Sequence, residues 1–176
     1  MATSTTPTRS LARRYAPLLA VALVVLLALA VVLPRLVDGA TGPGGDGRLE
    51  IVMEDYRFEP ADITLPTETP LELVFVNRDD TVHHVSFGRD IILDEGDEVG
   101  FAEDLLAGTT TRIEPSRARV GPSEQFPTLS VGVEPGETAT LYVTLPEDRV
   151  GAWQMGCFTA RGCQFRTGLA GSIEVD

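Results

Sequence analysis

Beyond residue 48, the chain is a series of short segments in which apolar and polar residues alternate. Such a period of two places the apolar side chains on one face of a β-strand. The segments with this character are residues 49–54, 63–65, 71–77, 83–87, 129–133, 138–145, 151–157 and 169–175. Pro60, Pro66 and Pro70 separate the early segments. Seven or eight short strands at this spacing predict an all-β domain folded as a two-sheet β-sandwich.

One stretch, residues 89–126, lacks the regular alternation. It is acidic, and the apolar spacing of residues 101–107 is compatible with one short helix. We therefore expect an irregular insertion at about residues 89–126, within a sandwich domain that spans residues 49–176.

The first part of the chain has a different pattern. Residues 15–34 carry no charge and are nearly all Leu, Val and Ala, and a helix needs roughly 20 such residues to cross a bilayer. Arg9, Arg13 and Arg14 precede the stretch, and basic residues favour the cytoplasmic flank. The pattern predicts a cytoplasmic N-terminus (1–14) and a single transmembrane anchor (15–34). A cleaved signal segment is the alternative interpretation of residues 15–34.

Residues 35–48, rich in Gly and containing Pro, are predicted to be a flexible linker between this anchor and the domain. Because the basic flank precedes the anchor, everything after it should lie outside the cytoplasm, on the periplasmic or extracellular face of the cell membrane.

Charge and motifs narrow the classes of function. The formal net charge is −12, from 26 acidic and 14 basic residues, and every acid lies beyond the apolar stretch. An acidic domain argues against nucleic-acid binding, and would suit a basic partner protein or simply keep the domain soluble. The chain shows neither a nucleophile with a base nor a glycine-rich phosphate loop. We therefore expect a protein that is not an enzyme.

Every cysteine and histidine of the chain lies in one of two stretches. His83 and His84 open one predicted strand, while Cys157 ends another and Cys163 follows in the next loop. Thiolate and imidazole donors in this arrangement are typical of a soft-metal site. Because adjacent residues of a strand point to opposite faces, His83 and His84 can bind one ion together only if the strand is bulged. In an exported domain the two cysteines can instead form a disulfide.

Four segments together resemble the cupredoxins, the plastocyanin-like blue copper proteins. They are residues 51–65, residues 75–87, residues 136–138 and the segment that ends at Cys157. That family commonly has a strand ending in Asn, a short turn and then His-x-Val-x-Phe, which corresponds here to Asn77 and residues 83–87. The resemblance implies a Greek-key sandwich, copper as the cofactor and His83 as the first copper ligand.

The same resemblance implies the remaining ligand positions. Cys157 matches the family's thiolate, and residues 168–171 match its Gly-Met-x-Gly element with Leu169 in the axial position, where it cannot coordinate. No histidine follows Cys157, so the second imidazole is replaced by Cys163 or Gln164. Additional contacts to such a site are expected from His84, Met155, Gln164 and Asn77.

Two hypotheses follow. The preferred one is a membrane-anchored protein that binds copper through His83, Cys157 and Cys163, for copper holding, for delivery to a partner protein or for electron transfer with a redox partner. One imidazole and two thiols favour Cu(I) or Zn(II) over easy cycling to Cu(II). The alternative is a copper-free sandwich, stapled by a Cys157–Cys163 disulfide, that serves as a structural or protein-interaction module.

Overall fold

The fold is described from a computed structural model, which covers residues 40–122, 127–160 and 163–176, without the side chain of Cys163. Its strands are β1 (Arg48–Glu54), β2 (Arg57–Glu59), β3 (Asp62–Leu65), β4 (Pro70–Asn77), β5 (His83–Asp94), β6 (Asp97–Asp104), β7 (Arg112–Glu114), β8 (Arg119–Val120), β9 (Ser130–Val133), β10 (Thr138–Thr144), β11 (Gly151–Cys157) and β12 (Ala170–Val175). The described helices are α1 (Cys163–Thr167) and the 3₁₀ turns Ser116–Ala118 and Glu147–Arg149.

These strands form two sheets, which confirms the predicted all-β sandwich. The five-stranded sheet has the order β2-β1-β4-β10-β7, and the seven-stranded sheet has the order β3-β12-β11-β5-β9-β8, with β6 added beside β5. The pairs β1 with β4 and β3 with β12 are parallel. The strands that matter for the site, β5 and β11, are antiparallel neighbours, so that Cys157 pairs with Val85 close to His83.

The core lies where the alternating apolar residues of both sheets meet. β1 alternates buried Leu49, Ile51 and Met53 with more exposed residues, and β10 does the same with Ala139, Leu141 and Val143. Burying a Leu, Ile, Val or Met side chain contributes roughly 1.5–3 kcal/mol. The period of two in the sequence therefore becomes the inner surface of the sandwich.

Residues 89–122 differ from the irregular insertion that the sequence predicted at about residues 89–126, and residues 123–126 lie outside the described part of the chain. β5 continues to Asp94 and forms a long hairpin with β6 that contains one register shift, and β7 joins the five-stranded sheet. The helix expected at residues 101–107 is wrong, because residues 101–104 end β6 and the amide of Leu105 donates to the carbonyl of Phe87. Pairing with β5 satisfies the backbone here and overrides a short helical spacing.

The folded domain also begins earlier than residue 49. The amide of Thr41 donates to the carbonyl of Asp62, its carbonyl accepts from Thr64, and the amide of Gly44 donates to the carbonyl of Arg48. The part of the predicted linker from residue 41 onward is thus bound to the sandwich. The predicted cytoplasmic segment and anchor, residues 1–14 and 15–34, lie outside the described residues.

Within the described residues, none of the helices has the length and apolar character that crossing a bilayer requires.

Candidate metal centre

The loop between β4 and β5 is organised by one buried amide. The Asn77 side chain donates from Nδ2 to the carbonyls of Thr81 (2.7 Å) and Val133 (2.9 Å), and its Oδ1 accepts the amide of Asp79 (3.0 Å). Asn77 is only 1% exposed, so these bonds replace those that water would make. Asn77, which was predicted to lie close to the site, therefore fixes the shape of the loop that leads into His83.

A carboxylate contacts Nε2 of the His83 ring. Nε2 of His83 lies 2.8 Å from Oδ2 of Asp79, and Tyr56 packs against the imidazole edge-on with the ring centroids 5.8 Å apart. The side chain of His83 is fully buried. Because Nε2 is engaged, Nδ1 is the ring nitrogen that faces the interior of the site.

Cys157 ends β11 and directs its sulfur toward that nitrogen. Its Sγ lies 2.9 Å from Oε1 of Gln164 and 3.2 Å from Oγ1 of Thr159, and it accepts the backbone amide of His84 at 3.3 Å. The residue is fully buried and its thiol is free. The predicted disulfide with Cys163 is therefore not formed here, because the sulfur is engaged in this buried polar cluster. The side chain of Cys163, predicted as a third donor, lies outside the described part of the chain.

Gln164 brings the two ligand candidates together. Its Oε1 lies 2.9 Å from Nδ1 of His83 and 2.9 Å from Sγ of Cys157. Gln164 belongs to α1 and is 8% exposed. The backbone carbonyl of Gln164 accepts a hydrogen bond from the amide of Leu169. The backbone carbonyl of Leu169 in turn accepts a hydrogen bond from the amide of Cys157. The backbone thus closes a loop around the site, and Gln164 occupies the place between imidazole and thiol.

Aromatic packing holds α1 in position. Phe165 stacks on Phe158 with 4.8 Å between the ring centroids and an interplanar angle of 15°, and Phe158 meets Phe101 of β6 edge-on at 4.8 Å. On the exposed side, Arg166 pairs with Asp97 and Glu98 of the hairpin. The β5–β6 hairpin therefore buttresses the helix that carries Gln164.

The buried groups shift each other's acidity. Burial lowers the pKa of His83, but hydrogen bonds with Cys157, Gln164 and Asp79 outweigh it and raise that pKa to about 9. Burial raises the pKa of the Cys157 thiol, but the bonds from His83, Thr159 and the His84 amide outweigh it and lower that pKa. Both shifts favour the charged forms, imidazolium and thiolate, relative to the isolated groups, because a nearby opposite charge stabilises a charged group.

Three other predicted residues lie around the site in different ways. His84 lines a cavity of about 190 Å³, and its backbone amide donates to the sulfur of Cys157. Burial lowers the pKa of His84. Met155 is fully buried in the core and packs where a side chain at Gly171 would otherwise lie. Leu169 is fully buried, and its hydrocarbon side chain cannot coordinate, as expected.

Sequence reasoning missed two residues that contact the site. Asp79 lies in the turn before His83, and Thr159 lies two residues after Cys157. A carboxylate can orient the ring of a metal-binding histidine by accepting its second N–H. Asp80 lies in the same turn before His83, so the sequence alone does not separate the two.

The described donor set is small. One imidazole nitrogen, one thiol sulfur and one amide oxygen converge, and within the described residues no group of three or more His, Cys, Asp or Glu side chains is placed to hold a metal. Soft sulfur and imidazole donors suit Cu(I), whereas a blue-copper centre uses two imidazoles with the thiolate. The arrangement can bind a soft ion or share one proton between sulfur and nitrogen.

A family model described as a cupredoxin-like domain matches residues 19–122 of the chain. The match includes Asn77, Asp79 and His83, and it ends before β11, so Cys157 and Gln164 lie beyond it. No curated protein matches the chain.

Several solved structures are similar at low identity. Reduced auracyanin from Roseiflexus castenholzii is 18% identical, with 76% of this chain and 99% of that chain covered and a TM-score of 0.48. Auracyanin A, a "blue" copper protein from Chloroflexus aurantiacus, is 12% identical, with 73% and 98% covered and a TM-score of 0.47. The metal-binding domain of the Cu(I)-exporting P-type ATPase CopA from Streptococcus pneumoniae is 14% identical, with 78% and 96% covered and a TM-score of 0.43. At these values, no residue role passes from those proteins to this chain.

Proposed function

Because the chain belongs to the family of cupredoxin-like domains, we propose that it is a copper-binding protein that holds Cu(I) through His83 and Cys157. Its role is copper holding and delivery to a partner protein, and it is not an enzyme. In this proposal the domain lies outside the cytoplasm and residues 15–34 anchor it to the membrane. Its acidic surface would suit a basic copper-accepting or redox partner.

The observation that carries the proposal is the convergence at Gln164. Its Oε1 lies within 2.9 Å of both His83 Nδ1 and Cys157 Sγ, so an imidazole nitrogen and a sulfur face one buried point from two strands of the same sheet. The lowered pKa of Cys157 supports the thiolate form, which is the form that binds metal.

The chemistry of the donors decides which oxidation state fits. Thiolate and imidazole suit Cu(I), but the second imidazole of a trigonal two-histidine, one-cysteine site is replaced by the amide of Gln164. Bound copper would supply a transferable Cu(I) ion or one electron. The protein side chains supply the rest: Asp79 orients the ring, Thr159 and the His84 amide hold the sulfur, and Leu169 keeps water out.

A second candidate function is favoured by the hydrogen bonds around His83 and Cys157, which are all made without a metal ion. Both ring nitrogens of His83 and the sulfur of Cys157 already have hydrogen-bond partners. Such a satisfied buried network stabilises a unique core on its own. We infer as the alternative a copper-free sandwich that acts as a structural or protein-interaction module.

The substitution Cys157→Ser separates the two functions. The full chain in detergent, offered Cu(I) under mild reduction and examined by native mass spectrometry, should hold one copper, and Cys157→Ser should hold none while its circular dichroism stays that of a folded sandwich. The matched control is Met155→Leu, which removes the other sulfur of β11 from the core and should leave copper binding intact, because volume-conserving apolar exchanges cost little.

Copper retention by Cys157→Ser equal to that of the unsubstituted chain would refute the proposed site. No copper on the unsubstituted chain would favour the copper-free module.

A further inference from the structure

The carboxylate of Asp79 is the hydrogen-bond partner of three N–H groups, which come from two separate parts of the fold. Oδ1 accepts the backbone amide of Asp55 at 2.8 Å, while Oδ2 accepts the backbone amide of Tyr56 at 3.2 Å and lies 2.8 Å from Nε2 of His83. The carboxylate is 9% exposed, so water does little to satisfy it. One side chain therefore connects the β1–β2 turn with the imidazole of the site.

The turn that Asp79 holds has an unfavourable backbone. Asp55 and Tyr56 form the two-residue connection between β1 and β2, with φ of 52° and 57°. Such turns favour Asn-Gly or Asp-Gly, because a bulky residue at positive φ is strained. Strained backbone persists where its surroundings over-determine it, and it concentrates at functional sites. Here the carboxylate receives both turn amides, and the Tyr56 ring covers His83.

Only a carboxylate offers two acceptor oxygens to the three N–H groups that meet at position 79. An amide at position 79 would offer one acceptor oxygen and would turn an NH₂ group toward at least one of the three N–H groups. Asp79 is itself fixed from behind, because its backbone amide donates to Oδ1 of the buried Asn77. The position of the carboxylate is thus set by the core and not by the ring that it contacts.

We propose that Asp79 is the positioning residue of this site, which holds a proton on Nε2 of His83, turns Nδ1 toward Cys157 and seats the Tyr56 turn over that ring. The inference rests on the proposed function only for its effect on copper. A carboxylate behind a metal-binding imidazole fixes the tautomer and makes the ring a stronger donor. The Tyr56 turn adds a cover that leaves the imidazole with 0% exposure.

The test compares Asp79→Asn with Asp80→Asn in the full chain. Both variants lose one negative charge from the same loop, but Asp80 is exposed and serves as the matched control. In the copper-free protein, nuclear magnetic resonance should show a hydrogen-bonded, slowly exchanging Nε2 proton of His83, close to the amide protons of Asp55 and Tyr56. That resonance should be lost in Asp79→Asn and kept in Asp80→Asn.

Copper affinity is the second measurement. In competition with a Cu(I) chelator, Asp79→Asn should bind roughly 10- to 100-fold more weakly, as is usual when the partner of a metal-binding histidine is lost, while Asp80→Asn should bind as the unsubstituted chain does. If the unsubstituted chain binds no Cu(I), the proposed function fails, and the ring-proton measurement still decides the role of Asp79.

An unchanged Nε2 resonance in Asp79→Asn would overturn the inference, and so would equal affinity of the two variants when the unsubstituted chain binds Cu(I). If Asp79→Asn does not fold, the resonance of the unsubstituted protein decides alone, and its absence overturns the inference.

Discussion

The two sides of the candidate site are held by different forces. The His83 side, residues 77–83 with the turn at Asp55 and Tyr56, is fixed by hydrogen bonds to one buried amide and one nearly buried carboxylate. The Gln164 side, residues 157–160 and 163–169, is fixed by stacked aromatic rings and an exposed ion pair. Directional bonds set the angle of the imidazole, whereas ring packing sets only where the helix lies. The ring should therefore be the rigid half of the site, and Gln164 the half that can move aside.

The largest expected effect is the loss of the amide that organises the His83 side. Asn77→Ala removes the donor to the part-buried carbonyl of Thr81 and to the buried carbonyl of Val133, and an unsatisfied buried group costs about 1–3 kcal/mol. We expect the free energy of unfolding in urea to fall by about 3 kcal/mol. Gln154→Ala removes an amide from an exposed position of β11 and should change it by less than about 0.5 kcal/mol. Equal effects of the two variants would contradict the importance of Asn77.

A smaller effect should appear on the Gln164 side alone. A Cβ at Gly156 would lie 2.5 Å from Cδ2 of Phe165, so Gly156→Ala must displace that ring and the helix that carries Gln164. Overpacking of this kind costs about 1–3 kcal/mol, and the lower half of that range is expected because an aromatic ring can shift. Backbone amide resonances should move in α1 and stay in place near Asp79.

Gly45→Ala is the control for that variant, since a Cβ at Gly45 meets nothing within 4 Å. Equal shifts on both sides of the site in Gly156→Ala would show that the two sides are coupled rigidly and that the Gln164 side does not move independently.

The smallest expected effect concerns pH. The raised pKa of His83, about 9 against 6.5 when unperturbed, gives stability that is complete below about 6.5 and is lost as the pH rises through 9. The lowered pKa of Cys157 gives stability that is complete above the thiol's usual 9.0 and is lost as the pH falls through its folded value. In the pH range where both contributions are present, folding transfers one proton from the Cys157 sulfur to the His83 ring. The chain then neither takes up nor releases a proton overall.

We therefore expect the contribution of this pair to the unfolding free energy to be flat between about pH 6.5 and 9, above the folded pKa of the thiol. In a pH titration, thiolate absorbance in the ultraviolet should appear at lower pH in the native copper-free protein than after unfolding in urea, because the fold lowers the pKa of Cys157. Equal midpoints in the two states would contradict a lowered pKa of Cys157.

The sequence predicted the sandwich because its strands are amphipathic. It also singled out His83, Cys157 and Gln164 by the chemistry of their side chains, and the structure brings these three together, although metal binding there stays a prediction. It did not predict the β5–β6 hairpin. The second half of β5 is largely exposed, with Leu93 at 64%, so no alternation marks it, and its pairing is a long-range property. Asp79 was missed for a similar reason, since only the folded loop turns it, and not Asp80, toward His83.

The contact between position 84 and the sulfur has a consequence for variation of this protein. Cys157 receives its N–H from the backbone of His84, so the hydrogen bond is independent of which side chain the codon specifies. Among the coded residues only proline lacks that N–H. Position 84 can therefore exchange its imidazole for other side chains by mutation, and adapt the cavity beneath it, while the sulfur keeps its donor.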